Sequence, residues 1–266
     1  MTYSDFLLGK SVSDAPTGLT FDAPLSDRLF DFQRDIVSWS LRRGRAAIFA
    51  DFGMGKTPMQ LEWAKHVPGP VVIAAPLAVA QQTVREGDKF GIPCRYARAE
   101  DGGEGIQVTN YEMLPHFDAG RFAGIVLDES SILKSHTGKF RSYVIEQWGA
   151  VPFRLCATAT PSPNDFMELG NHAEFLGVMS RAEMLAMFFV HDGSETQKWR
   201  IKGHAESDFW RWICSWAVML RKPSDLGYED GDFRLPRLNM FSHVVESDAS
   251  SDGFLFELPA SSLLER

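Results

Sequence analysis

The sequence predicts an α/β fold with a mainly parallel central sheet, and three observations carry that prediction. Short apolar runs suited to buried strands recur: "AAIFA" (46 to 50), "VVIAAP" (71 to 76), "IQVTN" (106 to 110), "GIVLDE" (124 to 129) and "FRLCATA" (153 to 159). Helical patterns such as "PMQLEWAKHV" and "AVAQQTVREGDKF" lie between most of them, as strand-helix alternation requires. Several runs end in a polar residue followed by a turn, the place where open α/β sheets hold their ligands.

Taken in order, residues 1 to 25 mix Ser, Asp, Gly, Thr and Pro without lasting periodicity and read as a loosely held lead-in. "LFDFQRDIVSWSLRR" then places Phe30, Ile36, Val37 and Leu41 at near-helical spacing and stops at Arg43-Gly44, which predicts a helix. The alternating strands and helices follow. From residue 161 the pattern changes: "NDFMELGNHAEFLGVMSRAEMLAMFFV" is helical, "HDGSETQKWRIKG" resembles a hairpin, and "AESDFWRWICSWAVMLRK" reads as one aromatic-rich helix. Its Phe209, Trp210, Trp212, Ile213 and Trp216 nearly encircle that helix, so burial is their expected role.

Composition narrows the function classes. The chain has 266 residues, enough for a substantial core, and 44% apolar with 23% charged residues fits a folded protein. A formal charge of −8 argues against a protein that coats nucleic acid by bulk charge, while leaving room for a local basic track. Cys94, Cys156 and Cys214 are widely separated, so neither a disulfide framework nor a zinc knuckle is expected, and a reducing cytoplasm fits. The most apolar run, residues 71 to 80, is short and broken by Pro76; no membrane segment and no export signal are expected. The seven histidines show no paired metal-ligand spacing.

Chemistry is concentrated at two strand ends. After "AAIFA" come the turn "DFGMG", then Lys56-Thr57 and a helix, the layout of a phosphate-binding loop. Gly53 and Gly55 let successive backbone N–H groups converge on phosphates at a helix N-terminus; Lys56 supplies charge and the Thr57 hydroxyl a ligand for Mg²⁺. Ala50 stands where the simple loop pattern has glycine. "GIVLDESS" ends a second strand in Asp128-Glu129, suited to holding Mg²⁺ through its water shell (Asp128) and to orienting or deprotonating an attacking water (Glu129). Upstream, the amide of Gln33 offers a donor and an acceptor matched to the edge of adenine, with Phe30 or Phe32 available for stacking.

In this order the segments resemble superfamily-two helicases, and within them the Swi/Snf-like double-stranded-DNA translocases, especially compact phage and bacterial members. "FDFQRDIVSWSL" is similar to their Q-type motif, "FADFGMGKT" to motif I, "VVIAAPLAVAQQTVREGDKF" to motif Ia, "IQVTNYEML" to motif Ib, "IVLDESSILKS" to the DEAD/DEAH-type motif II, and "LCATATPSPNDFMELGNHAEFL" to motif III. The resemblance implies an N-terminal RecA-like P-loop lobe over residues 26 to 177, ATP and Mg²⁺ as cofactors, and Lys56, Asp128 and Glu129 as catalytic groups. It also implies coupling of nucleotide to DNA through Thr158 and Thr160, and DNA-backbone contacts at Pro76, Leu77, Thr109, Asn110, Tyr111 and Lys134. In such relatives Ala in place of the first loop glycine is common.

Two departures stand out. Motif II continues as Ser130-Ser131 where relatives more often carry a histidine, so its contact with motif III falls to a weak substitute, Ser131. The family's second RecA-like lobe, source of motifs IV to VI and their arginine fingers, has no counterpart after residue 235. Residues 178 to 234 correspond to a helical protrusion completing the first lobe, and 235 to 266 to a connector and the start of the missing lobe. The expectation is an ATP-binding half-motor with weak hydrolysis; a nucleotide-gated DNA- or protein-binding adaptor without productive hydrolysis is the alternative.

Overall fold

The computed structural model describes residues 14 to 100, 102 to 135, 138 to 191, 199 to 233 and 239 to 241. Residues up to 234 form one unit and 235 to 266 a second, so the connector and second-lobe start expected there fall almost wholly outside the described residues.

In the first unit, helix α1 (Asp31–Arg43) leads into strand β1 (Arg45–Ala50), and α2 (Lys56–His66) into β2 (Val71–Ala75). Then follow α3 (Leu77–Phe90), β3 (Cys94–Tyr96), β4 (Ile106–Asn110), β5 (Gly124–Asp128), the single turn α4 (Ile132–Ser135), α5 (Gly138–Trp148) and β6 (Phe153–Thr158). After α6 (Leu169–Leu176) and α7 (Arg181–Phe188), strands β7 (Phe189–His191) and β8 (Trp199–Ile201) pair antiparallel, as the hairpin reading expects; its turn lies outside the described residues. Helix α8 (Glu206–Trp216) ends in β9 (Ala217–Leu220).

Seven strands form one parallel sheet in the order β3-β4-β2-β5-β6-β1-β9. The α/β class and the helical flanks are as predicted. Strand alternation explains why the sheet is covered twice. Ala47 and Phe49 of β1, Val72 and Ala74 of β2, and Ile125 and Leu127 of β5 enter one apolar core together with Trp148, Phe175, Phe209, Trp212 and Trp216. Their neighbours Ala46, Ile48, Val71, Ile73 and Val126 enter the other, with Leu41, Leu61 and Trp63. A period of two thus divides each run between faces, and both faces find helices to bury them.

Two strands escaped the sequence reading. The helix expected through residue 222 stops at Trp216, and Ala217, extended at φ −129° and ψ 143°, starts β9 beside β1. "AVML" directly follows an aromatic helix, and an apolar run that short has no periodicity of its own to separate strand from helix. Strand β3 is three half-buried residues at the opposite edge.

The stretch from Asp14 is held more firmly than its composition suggests. Thr17, Gly18 and Leu19 donate backbone hydrogen bonds to the carbonyls of Arg43, Arg42 and Leu41. Asp14 forms an ion pair of 2.5 Å with the buried Arg43.

Candidate nucleotide site

Because every strand of the sheet runs the same way, the C-terminal ends of β1, β5 and β6 open on one edge. Strand β6 separates β1 from β5, so the loop after β1 and the acids after β5 lie two strand spacings apart, about 10 Å. The glycine-bearing loop and the acidic groups therefore face a common space, with Thr158 on the strand between them.

The loop 51 to 55 is shaped by its glycines. Gly53 and Gly55 have φ of 81° and 74°, in the left-handed region where a Cβ is disfavoured. Gly53 faces open space, and Phe52 beside it is 63% exposed. Gly55 is packed: a Cβ there would lie 2.3 Å from Gln33 Nε2. Gln33 is buried; its Nε2 donates to the Met54 carbonyl at 2.9 Å and its Oε1 accepts from Phe30 N at 3.1 Å. The amide read as an adenine contact is thus engaged with the loop backbone here. Of the two candidate stacking rings, Phe30 is exposed, whereas Phe32 is buried against Tyr228 and Phe233.

Lys56 opens α2 and folds back into the loop, where Nζ donates to the Ala50 carbonyl at 2.9 Å and reaches that of Asp51 at 3.4 Å. Burial lowers its pKa, while Glu129, Asp128 and Asp51 oppose the shift and keep the cation in an acidic field. Thr57 follows, half-buried; Pro58 brings no N–H, so the amides of Lys56 and Thr57 are the donors of that helical turn's start.

On the acidic side Asp128 is 4% exposed, and burial raises its carboxyl above the ordinary range, followed in effect by the opposing Gln60 hydrogen bond. Gln60 Nε2, one turn along α2 from Lys56, donates to Asp128 Oδ1 at 2.7 Å, tying the helix after the glycine-bearing loop to the acidic strand. Tyr111 donates its hydroxyl to the Asp128 carbonyl at 2.6 Å. Glu129 has φ 54°, the single positive value for a non-glycine among the described residues. Thr158 Oγ1 donates to Glu129 Oε2 at 3.1 Å and accepts from Thr160 N at 3.1 Å. The acid and the Thr158–Thr160 segment are therefore in direct contact, without Ser131. Ser130 turns inward instead, fully buried, with Oγ 3.1 Å from His172 Nε2.

Beside Asp51 a groove of about 500 Å³ runs under Thr160, Pro161, Phe166 and Arg221. A second of about 550 Å³, at the β9 edge of the sheet near Trp39 and Tyr228, adjoins the first through Met219 and Asp225 and is lined mostly by apolar groups.

Among solved structures, the Sulfolobus solfataricus SWI2/SNF2 ATPase core in complex with dsDNA matches with 21% identity and a TM-score of 0.62, over 80% of this chain and 49% of that one. The fold is similar to that of about half of a SWI2/SNF2 ATPase core. A second structure, the Sulfolobus solfataricus SWI2/SNF2 ATPase core domain, agrees at 18% identity and a TM-score of 0.57, over 78% of this chain and 47% of its own. This chain spans about half the length of the SWI2/SNF2 cores it resembles. No protein-family description and no curated protein matches it.

Within this SWI2/SNF2-like fold the remaining predicted residues divide. Pro76 and Leu77 lie at the exposed start of α3, with Leu77 63% exposed. Thr109, Asn110 and Tyr111 are buried, and Asn110 is occupied by Tyr96 and Glu112. These three side chains are directed into the protein. Lys134 sits in α4, its side chain outside the described residues. Sequence reasoning missed Gln60 and His172, whose partners lie 68 and 42 residues away, and no local pattern marks either. No helix among the described residues is long and apolar enough to cross a membrane, and no cluster of three or more His, Cys, Asp or Glu side chains suited to a metal is found among them.

Proposed function

We propose that the chain is the ATP-binding lobe of a DNA-dependent helicase or double-stranded-DNA translocase, working with a second RecA-like lobe. The observation that supports this most is the convergence of Lys56, Asp128, Glu129 and Thr158 at one sheet edge, with Gln60 joining the two halves of the site.

The residues present fit a Mg²⁺-nucleotide. An open glycine cradle, a half-buried ammonium and a buried carboxylate whose burial opposes its own charge form a site that a bound cation and polyphosphate complete. Thr57 and Asp128 would hold the ion, directly or through water, consistent with the absence of an all-protein metal cage among the described residues. Bound there, Mg²⁺ neutralises charge on the phosphates. With nucleotide bound, Lys56 would turn from the Ala50 and Asp51 carbonyls to the phosphates, and the Gly55-Lys56-Thr57 backbone would supply N–H donors. Glu129, held by Thr158, orients the attacking water and accepts its proton; Thr158 and Thr160 carry the state of that acid to the 161 to 166 loop. Gln33 acts by fixing the loop.

DNA contact is assigned to the exposed Pro76-Leu77 end and to Lys134, through backbone phosphates, which is compatible with an acidic chain. Residues 26 to 177 make the nucleotide lobe and 178 to 234 complete it; 235 to 266 lead toward the partner lobe. Hydrolysis by this chain alone is expected to be weak, since the groups that stabilise the transferring phosphoryl come from that lobe.

Equilibrium binding of a fluorescent ATP analogue with Mg²⁺ tests the reading. Saturable binding by the wild type, weakened about 100-fold in Lys56→Ala, is expected for loss of charge-assisted hydrogen bonds. Equal binding by both would refute the assignment. Strong DNA-stimulated turnover by this chain alone would refute the need for a second lobe.

A further inference from the structure

We infer that Ser130 and His172 form a positioning bridge that locks the Glu129 turn onto α6, so that His172 sets the aim of the Glu129 carboxylate without touching nucleotide. The inference rests on the nucleotide-hydrolysing reading and adds to it a residue that neither motif nor spacing singles out.

Glu129 adopts a left-handed conformation that a side chain bearing a Cβ avoids, and such a residue persists only where its surroundings over-determine it. Those surroundings act on three consecutive residues. Asp128 is held by Gln60 and Tyr111, Glu129 itself by Thr158, and Ser130 by two bonds: its N donates to the Ala157 carbonyl at 3.0 Å, and its Oγ meets His172 Nε2 at 3.1 Å. The first bond continues the strand geometry. The second does not follow from the sheet, because His172 comes from α6, beyond β6.

His172 is an unusual occupant of its place. It is 1% exposed, its ring meets that of Phe49 edge-on at 5.2 Å, and its buried helix neighbours Leu169, Ala173, Phe175 and Leu176 are apolar. An aliphatic side chain would satisfy such packing, and burying an imidazole is unfavourable unless it is hydrogen-bonded. Ser130 supplies that bond, and the Cys156 thiol also reaches the Ser130 side chain. Burial holds this thiol far above its ordinary pKa, so it stays protonated. The helix behind the bridge is itself anchored: Asn171 accepts from Arg141 of α5 at 2.9 Å. An anchored helix thus holds Ser130 while Thr158 holds the Glu129 carboxylate, so the turn is fastened at both residues.

The test compares the full chain with His172→Leu, His172→Gln, Ser130→Ala and the His172→Leu/Ser130→Ala pair. Thermal melting establishes that each is folded; affinities are then measured for Mg²⁺-ADP and for Mg²⁺-ADP with fluoroaluminate, a mimic of the transferring phosphoryl. A merely structural histidine would leave the ratio of the two affinities unchanged. The bridge predicts a ratio reduced roughly three- to tenfold in His172→Leu and in Ser130→Ala, with Mg²⁺-ADP affinity retained. The double variant should be no worse than either single one, and His172→Gln should recover most of the loss. An unchanged ratio in folded His172→Leu, or a wild type with no preference for the mimic, overturns the inference while leaving nucleotide binding intact. Failure of the wild type to bind either ligand would instead remove the reading on which the inference stands.

Discussion

Replacing Gly55 by Ala should be far more damaging than the same change two residues earlier, and the structure says by how much. Both glycines have positive φ, so an alanine at either position carries a backbone penalty of about 1 to 2 kcal/mol. At Gly53 nothing lies within 4 Å of the added carbon, and that penalty is the whole effect. At Gly55 the carbon would fall 2.3 Å from Gln33 Nε2. The amide can swing aside only by abandoning its bonds to the Met54 carbonyl and Phe30 N inside the protein. Two such bonds at roughly 1 kcal/mol each make the excess about 2 kcal/mol, or about 4 to 8 °C in melting temperature for a chain of this size. Melting curves of Gly53→Ala, Gly55→Ala, Gln33→Ala and the Gln33→Ala/Gly55→Ala pair measure this directly. With the amide gone the excess should vanish, leaving the backbone penalty alone. Equal destabilisation by the two alanines, or an excess that survives in the Gln33→Ala background, would refute the assignment of Gln33 as the support of the loop.

Further outcomes follow from the same geometry. Asp128→Asn should raise the melting temperature at neutral pH, because burial works against the ionised carboxylate, and should weaken Mg²⁺-nucleotide binding about tenfold; a lower melting temperature would count against the desolvated acid. Burial raises the Tyr111 phenol well above its ordinary value, so the native state keeps a proton that the unfolded chain releases above pH 10, and stability should fall as pH rises past that point. Denaturation followed across that range should show a shallower decline in Tyr111→Phe, and an unaltered slope would argue against a buried phenol. Asp14→Ala leaves the buried Arg43 without its carboxylate and should cost on the order of 3 kcal/mol in urea unfolding, whereas a loose lead-in would register almost nothing.

What could be read from the chain and what could not follows from the range of the forces involved. Five strands were legible because each is a continuous apolar run buried on both faces, and that signal is local. Strand β9 was not, since "AVML" continues an aromatic helix without a turn residue and becomes a strand only because the edge of β1 is there to receive it. Strand β3, at Cys94–Tyr96, has no apolar run to detect. The site divides the same way. Lys56, Thr57, Asp128 and Glu129 belong to short segments at strand ends, where type and spacing carry the chemistry. Gln60 touching Asp128, Tyr111 capping its carbonyl and His172 meeting Ser130 depend on how distant segments pack. Tyr111, which the resemblance places near DNA, has its hydroxyl committed to the Asp128 carbonyl inside the protein.

The position of β9 has a consequence for synthesis of the chain. Strand β1, which leads into the 51 to 55 loop, lies between β6 and β9, and Asp51 N at its end donates to the Leu220 carbonyl. During translation β1 emerges early, but its outer edge stays uncovered until residue 220 has left the ribosome, roughly 10 to 30 s later at ordinary elongation rates. Throughout that interval the nascent chain presents an apolar strand with unpaired backbone groups, the kind of edge that recruits other strands. Ribosome-associated chaperones would meet this protein while the strand before its glycine-bearing loop still lacks a partner, and slowing elongation between residues 50 and 220 should raise the share lost to aggregation.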